Sequence, residues 1–228
     1  MSVEKFARVL GNNLHTATRT YKKGEKTVRL VSAIHVGERQ YYEDLCTDLS
    51  GCERILYEGI MPAEVSQPYR ALSFVYHCYN LLDRLGDSVT RTFDLQRQAK
   101  YMKPCENWEN ADINIVEMVE AAGIFSKTNV QASGQFLKVC MALLYTRVLK
   151  NPEAKRAFLQ GIIRGITSND MDLGLFNARD LGESVAIHKI GESLKTYDSL
   201  GVLYGAGHMQ TIENFVTRDL GYLPDDVM

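Results

Sequence analysis

Hydrophobic positions along the chain fall into short unbroken runs separated by stretches of helical spacing. The clearest run lies within Thr27 to Glu38, TVRLVSAIHVGE. Val28 to Ile34 is short, rich in β-branched residues and free of Gly and Pro, which is the pattern of a central strand buried on both faces. It delivers His35 to the strand end, where open α/β sheets place their ligands. Upstream, Leu14 to Tyr21 and the loop Lys22-Lys23-Gly24-Glu25-Lys26 predict a hairpin into that strand, with Gly24 supplying a positive φ. Downstream, Tyr42, Leu45 and Leu49 predict a helix from Arg39 to near Gly51. Arg54 to Tyr57, RILY, is then a second buried strand ended by Glu58-Gly59. Strand, helix and strand in succession are the parts of a parallel crossover.

The same reading continues to the C-terminus. Ser66 to Leu85 has the apolar face of a helix, built on Tyr69, Leu72, Phe74, Val75, Tyr76, Tyr79 and Leu82. Val89 to Phe93 predicts a third strand ending at Asp94, followed by helix-like spacing over Leu95 to Met102 and a break at Pro104. Asp112 precedes the amphipathic run Ile113 to Val119 and suits a helix N-cap. Gly134 to Ile166 predicts two helices divided at Asn151-Pro152. A further helix spans Met171 to Leu194 and carries Asn177-Ala178-Arg179-Asp180. Gly201 to Tyr204 is a short strand, Gly205-Ala206-Gly207-His208 its exit, and Thr211 to Leu220 a closing helix. No low-complexity linker interrupts the series. The expectation is one α/β domain over residues 1–228, a central mixed sheet flanked by helices, with a cleft at the strand carboxyl ends.

Composition narrows the function classes. The chain has 228 residues, 45% hydrophobic and 24% charged, enough for one domain with a substantial core. A net charge of -2 gives no electrostatic reason to expect nucleic acid or an anionic membrane. Five cysteines with no CxxC pair suit free thiols in a reducing compartment. The N-terminus lacks the apolar core of a signal peptide, and no window approaches an apolar span of ~20 residues. A cytoplasmic location without a membrane span is expected.

The candidate chemistry rests on a repeated exit. Ser32-Ala33-Ile34-His35 aligns with Gly205-Ala206-Gly207-His208, each after an apolar strand and before a helix, so that Tyr42 falls on Phe215. Small residues there let the backbone turn sharply and another group approach. Two histidines and the strand-end carboxylate of Glu58 suit a divalent metal with an open position, Zn, Mn, Co or Fe. No local signature such as HExxH accompanies them. The alternative is that each is separately structural, His35 as a hydrogen-bonding residue at a helix start and Glu58 as the partner of a core arginine.

Together, Ser32-Ala33-Ile34-His35, Leu56-Tyr57-Glu58, Asn177-Ala178-Arg179-Asp180 and Gly205-Ala206-Gly207-His208 resemble the marks of the TraB/TIKI family, within the wider group of ChaN-like and erythromycin-esterase-like proteins. Ser32 stands where the family has glycine. The resemblance implies two pseudo-symmetric halves with a pocket where they meet. Its TIKI branch implies metal-dependent peptide hydrolysis, its esterase-like branch hydrolysis without an obligatory metal, and its ChaN-like branch haem binding. The leading expectation is a metal-dependent hydrolase acting on a peptide or amide bond, with His35, Glu58 and His208 holding Mn, Co or Zn. Glu58 doubles as a candidate general base, Arg179 stabilises an oxyanion or binds a substrate carboxylate, Asn177 orients water or substrate, and Asp112 supports a histidine. Against it stand a non-catalytic protein that binds a peptide, signal molecule or haem in the same cleft, and a metal-free esterase-like hydrolase. Haem is the less favoured cofactor. The apolar face around Phe74 to Tyr79 suits either a pocket wall or a homodimer interface.

Overall fold

The computed structural model of the chain describes residues 5–11, 13–59, 87, 90–114, 117, 152–167 and 175–225. A first hairpin pairs β1 (Ala7–Leu10) with β2 (Asn13–Thr16). A second joins β3 (Thr18–Lys23) to β4 (Lys26–Ala33), with Lys23 opposite Lys26 and Gly24 in the turn at φ 60°. β4 leaves through β5 (Val36–Gly37) into α1 (Arg39–Leu49), which buries Tyr41, Tyr42, Leu45 and Leu49. Then come β6 (Arg54–Tyr57), β7 (Gln96–Arg97), α2 (Gln98–Tyr101) and β8 (Trp108–Asn110). The last part of the chain carries α3 (Pro152–Thr167), α4 (Leu175–Thr196), β9 (Ser199–Gly205), α5 (Met209–Asn214), a π-helical turn over Phe215–Asp219, and β10 (Leu223–Pro224).

The central sheet has six strands in the order β10-β3-β4-β9-β6-β8. β10 and β3 are antiparallel to their neighbours, whereas β4, β9, β6 and β8 are parallel. This is the expected α/β class, a mixed central sheet flanked by helices. The apolar runs form its middle: Val28, Leu30, Val31, Leu56, Leu200, Val202, Leu203 and Tyr204 are all buried. At Gly201 a Cβ would lie 2.9 Å from Leu49 Cδ2 and 3.2 Å from Cys52 Sγ, so its absence lets α1 and the loop after it close onto β9.

One arrangement decides where the chemistry sits. β9, the last of the parallel strands in sequence, is inserted between β4 and β6, with Ala33 opposite Gly205 and Tyr57 opposite Leu203. The ladders continue past the strand ends: Glu58 N–H donates to Leu203 O at 2.9 Å, and Ala206 N–H to Ala33 O at 2.9 Å. The exits of β4, β9, β6 and β8 therefore open on one edge of the sheet.

The structure corrects several expectations. Residues 90–93 are helical and end at Asp94, whose φ is 54°, so the described part of the run expected as the third strand is helix. Phe93 instead stacks on Phe158 of α3 with ring centroids 5.5 Å apart, beside buried Leu95 and Leu159. A short apolar run does not distinguish strand from buried helix, and here the α3 contact decides. The strand role passes to Trp108–Asn110. Gln96 and Arg97, expected to be helical, pair with β5, and only Gln98–Tyr101 form a helical turn. The N-cap position belongs to Asn114: its Oδ1 accepts from Glu117 N–H at 3.1 Å while Glu117 Oε2 accepts from Asn114 N–H at 2.8 Å, a reciprocal capping box. The helix expected over residues 66–85, with the apolar face around 74–79, and the first of the two helices expected over 134–166 lie outside the described residues. Among the described residues, no helix is long and apolar enough to cross a membrane, and Cys46, Cys52 and Cys105 are free thiols.

Candidate functional site

Four polar side chains come from the four parallel exits: His35 after β4, His208 after β9, Glu58 after β6 and Asp112 after β8. Glu58 is the centre. Its Oε2 accepts from the Gly205 N–H, and a Cβ at Gly205 would lie 2.8 Å from that oxygen, so the glycine admits the carboxylate against the backbone. Its Oε1 faces both imidazoles, 3.6 Å from His208 Nε2 and 3.8 Å from His35 Nε2. The two ring nitrogens are thus no further apart than the sum of those distances.

Each imidazole is held from behind by its other nitrogen. His208 Nδ1 lies 3.1 Å from Glu183 Oε1, and His35 Nδ1 lies 3.1 Å from Gln98 Oε1. The Gln98 N–H also donates to His35 O at 2.9 Å, so one residue clamps both ring and backbone. A carboxylate only accepts, which dictates a proton on His208 Nδ1 and leaves Nε2 to present its lone pair to Glu58 whenever the ring is neutral. With the Gln98 carbonyl turned toward His35, the same follows there. When neutral, both histidines then turn acceptor nitrogens toward the Glu58 carboxylate; when protonated, each turns a donor N–H toward it.

Arg179 is near but is engaged with the scaffold of the cluster. Its Nε donates to Glu183 Oε1 at 2.9 Å, one helical turn along α4, and its Nη2 donates to Gly207 O beside His208. Asp112 Oδ1 accepts the Ile113 N–H at 2.8 Å and sits 3.0 Å from the Cβ position of Gly182 on α4. Asn177 falls on the first turn of α4, and its side chain lies outside the described residues. The two histidines are not equivalent in setting. His35 is 65% exposed and leads into β5, whereas His208 is 21% exposed, stands at the start of α5 and has Tyr204 edge-on at 5.8 Å.

The electrostatics match this crowding. Burial disfavours a charge on His208, but the Glu183 hydrogen bond and the charges of Glu58 and Glu183 outweigh it and raise its pKa. Burial alone would raise the Glu183 carboxyl, yet bonds from His208, Arg179 and Thr211 lower it, so the two make an ion pair. Burial pushes Asp112 upward, against the Ile113 N–H, with Glu58 adding to the rise. The Tyr204 hydroxyl is raised by burial and by Asp112, Glu58 and Glu183, and it donates to Ala111 O.

Two imidazoles and a carboxylate are a donor set suited to Zn, Mn or Co. Ligand atoms about 2.1 Å from one tetrahedral ion lie about 3.4 Å apart, close to the spacing around Glu58 Oε1. As placed, no three His, Cys, Asp or Glu side chains among the described residues meet metal-holding geometry. The residue types fit such an ion, and His35 is the most exposed of the three. Sequence reasoning missed Glu183 and Gln98. Glu183 was signalled by its i,i+4 spacing from Arg179, whereas Gln98 depends on the β5–β7 ladder, which no local pattern announces. Comparison of the chain with protein-family models, curated proteins and solved structures found no match.

Proposed function

We propose that the strand-end cluster is the metal centre of a hydrolase acting on a peptide or amide bond, with His35, Glu58 and His208 as ligands. The observation that carries this reading is the convergence of two imidazole Nε2 atoms on one carboxylate oxygen, at 3.6 and 3.8 Å, while both Nδ1 atoms are tied to acceptors behind. The resemblance of the four sequence motifs to the TraB/TIKI family supports the choice of a peptide or amide substrate. When bound, a divalent ion supplies a water with a pKa of about 7 and polarises a carbonyl.

The chain's own groups divide the remaining work. Gly205 N–H fixes one Glu58 oxygen and leaves the other toward the histidines. Asp112, its carboxyl raised by burial, acts electrostatically on Glu58, His208 and His35 from the neighbouring exit. Arg179 adds a fixed positive charge beside His208 for a developing oxyanion or a substrate carboxylate.

Elemental analysis of untagged protein loaded with Mn, Co or Zn tests the reading. One ion per chain is expected in wild type and a large loss in His35→Ala and His208→Ala, with cleavage of a quenched peptide library only in the loaded protein. Absence of stoichiometric metal after loading would overturn it. Stoichiometric metal without turnover would leave the binding-protein alternative in its place.

A further inference from the structure

Glu183 belongs to α4, not to a strand exit, and is 8% exposed. A buried carboxylate needs partners, and Glu183 has two with distinct consequences. Its Oε1 accepts from His208 Nδ1 at 3.1 Å and from Arg179 Nε at 2.9 Å. Arg179 then reaches back through Nη2 to the carbonyl of Gly207, the residue before His208. The result is a closed ring, Arg179 to Glu183 to His208 to Gly207 and back to Arg179, that locks the imidazole and the backbone carrying it to one helix. His35 receives a weaker version, because the neutral amide of Gln98 stands where His208 has a carboxylate.

The geometry points to Glu183 as the positioning residue of the cluster: it holds the His208 proton on Nδ1 and keeps the Nε2 lone pair aimed at Glu58 Oε1, making His208 the fixed ligand and His35 the adjustable one. A carboxylate behind a ligating imidazole sets its tautomer and ring angle and raises its basicity. Arg179 acts through Glu183 by fixing the oxygen that His208 meets. For its effect on metal binding this assignment rests on the proposed metal centre; for the tautomer it does not.

The test therefore begins on metal-free protein. Long-range proton–nitrogen spectra of histidine-labelled wild type, with the pH raised until the His208 signals stop shifting and the ring is neutral, should show His208 with its proton on Nδ1, the signal being assigned by its loss in His208→Gln. Glu183→Leu should move that proton to Nε2. Glu183→Gln, whose amide oxygen still accepts, should keep it on Nδ1. In competitive titration with Mn or Zn, Glu183→Leu should weaken binding about 10- to 100-fold and Glu183→Gln less. A wild-type His208 protonated on Nε2 overturns the assignment, whatever becomes of the variants. So does a folded Glu183→Leu with the wild-type tautomer and affinity. The Nδ1 tautomer in a wild type that binds no metal sustains the assignment and sinks the metal reading; tight metal binding with an Nε2 proton does the reverse.

Discussion

At the scale of single residues, two glycines on β9 separate stability from site geometry. A Cβ at Gly201 would meet Leu49 Cδ2 at 2.9 Å, Cys52 Sγ at 3.2 Å and Ile55 Cγ1 at 3.2 Å, all in packed core. Overpacking of that kind costs about 1–3 kcal/mol, so Gly201→Ala should lower the unfolding free energy from urea titration by that amount and leave metal affinity unchanged. A Cβ at Gly205 would meet the Glu58 carboxyl first, Oε2 at 2.8 Å, Cδ at 3.6 Å and Oε1 at 3.7 Å, the end of a side chain that can swing aside. Gly205→Ala should therefore cost less than ~1 kcal/mol yet weaken metal binding at least tenfold, because the carboxylate that moves is the shared centre of the cluster. Equal losses of stability in the two variants would contradict this division. Gly205 was readable in the sequence as a small residue at a strand exit. What it makes room for was not, because Glu58 comes from a neighbouring strand.

At the scale of elements, α5 is anchored to the first hairpins through one carboxylate. Glu213, 7% exposed, accepts hydrogen bonds from Lys5, Arg19 and Tyr21, so that the helix following His208 is tied to β3. Burial would raise the Glu213 pKa, but those bonds outweigh it and hold the carboxyl below its ordinary 4.5. A depressed folded pKa means that the stabilisation is complete above the unfolded value and is lost as pH falls through the folded one. Glu213→Gln should thus cost about 1–3 kcal/mol at neutral pH, and the difference from wild type should shrink on acidification below 4.5. A difference independent of pH between 7 and 3 would show that the charge of Glu213 contributes nothing. Elements with an unambiguous period were legible: β4, α1, β6 and β9 stand where their apolar runs put them. The run ending at Phe93 was not, since the same residues suit a strand or a buried turn of helix until α3 supplies Phe158 as a partner.

For the whole molecule, a cation at His35, Glu58 and His208 would join the exits of β4, β6 and β9 across the middle of the sheet. Binding to the folded state alone stabilises by about 2.7 kcal/mol at a ligand concentration a hundred times Kd. Thermal unfolding in Mn or Zn should therefore lie several degrees above that in chelator, and His35→Ala should remove most of the difference. Identical melting of loaded and chelated wild type would count against a cation common to the three strands.

The sequence by itself determined the class of the fold and the residues that stand at strand ends, because burial on both faces, helical spacing and turn chemistry are local properties written over a few residues each. It thereby named His35, Glu58 and His208 as candidates for one site, with Asp112 as a helix N-cap or a partner to a histidine. Only the tertiary structure decided that β9 enters between β4 and β6, which brings His35, His208 and Glu58 onto three adjacent strand exits. Strand order is chosen by the packing of the entire core, to which residues distant in sequence contribute together, and no local pattern encodes it. The same holds for Glu183 and Gln98, which acquire their roles only from the rings they hold.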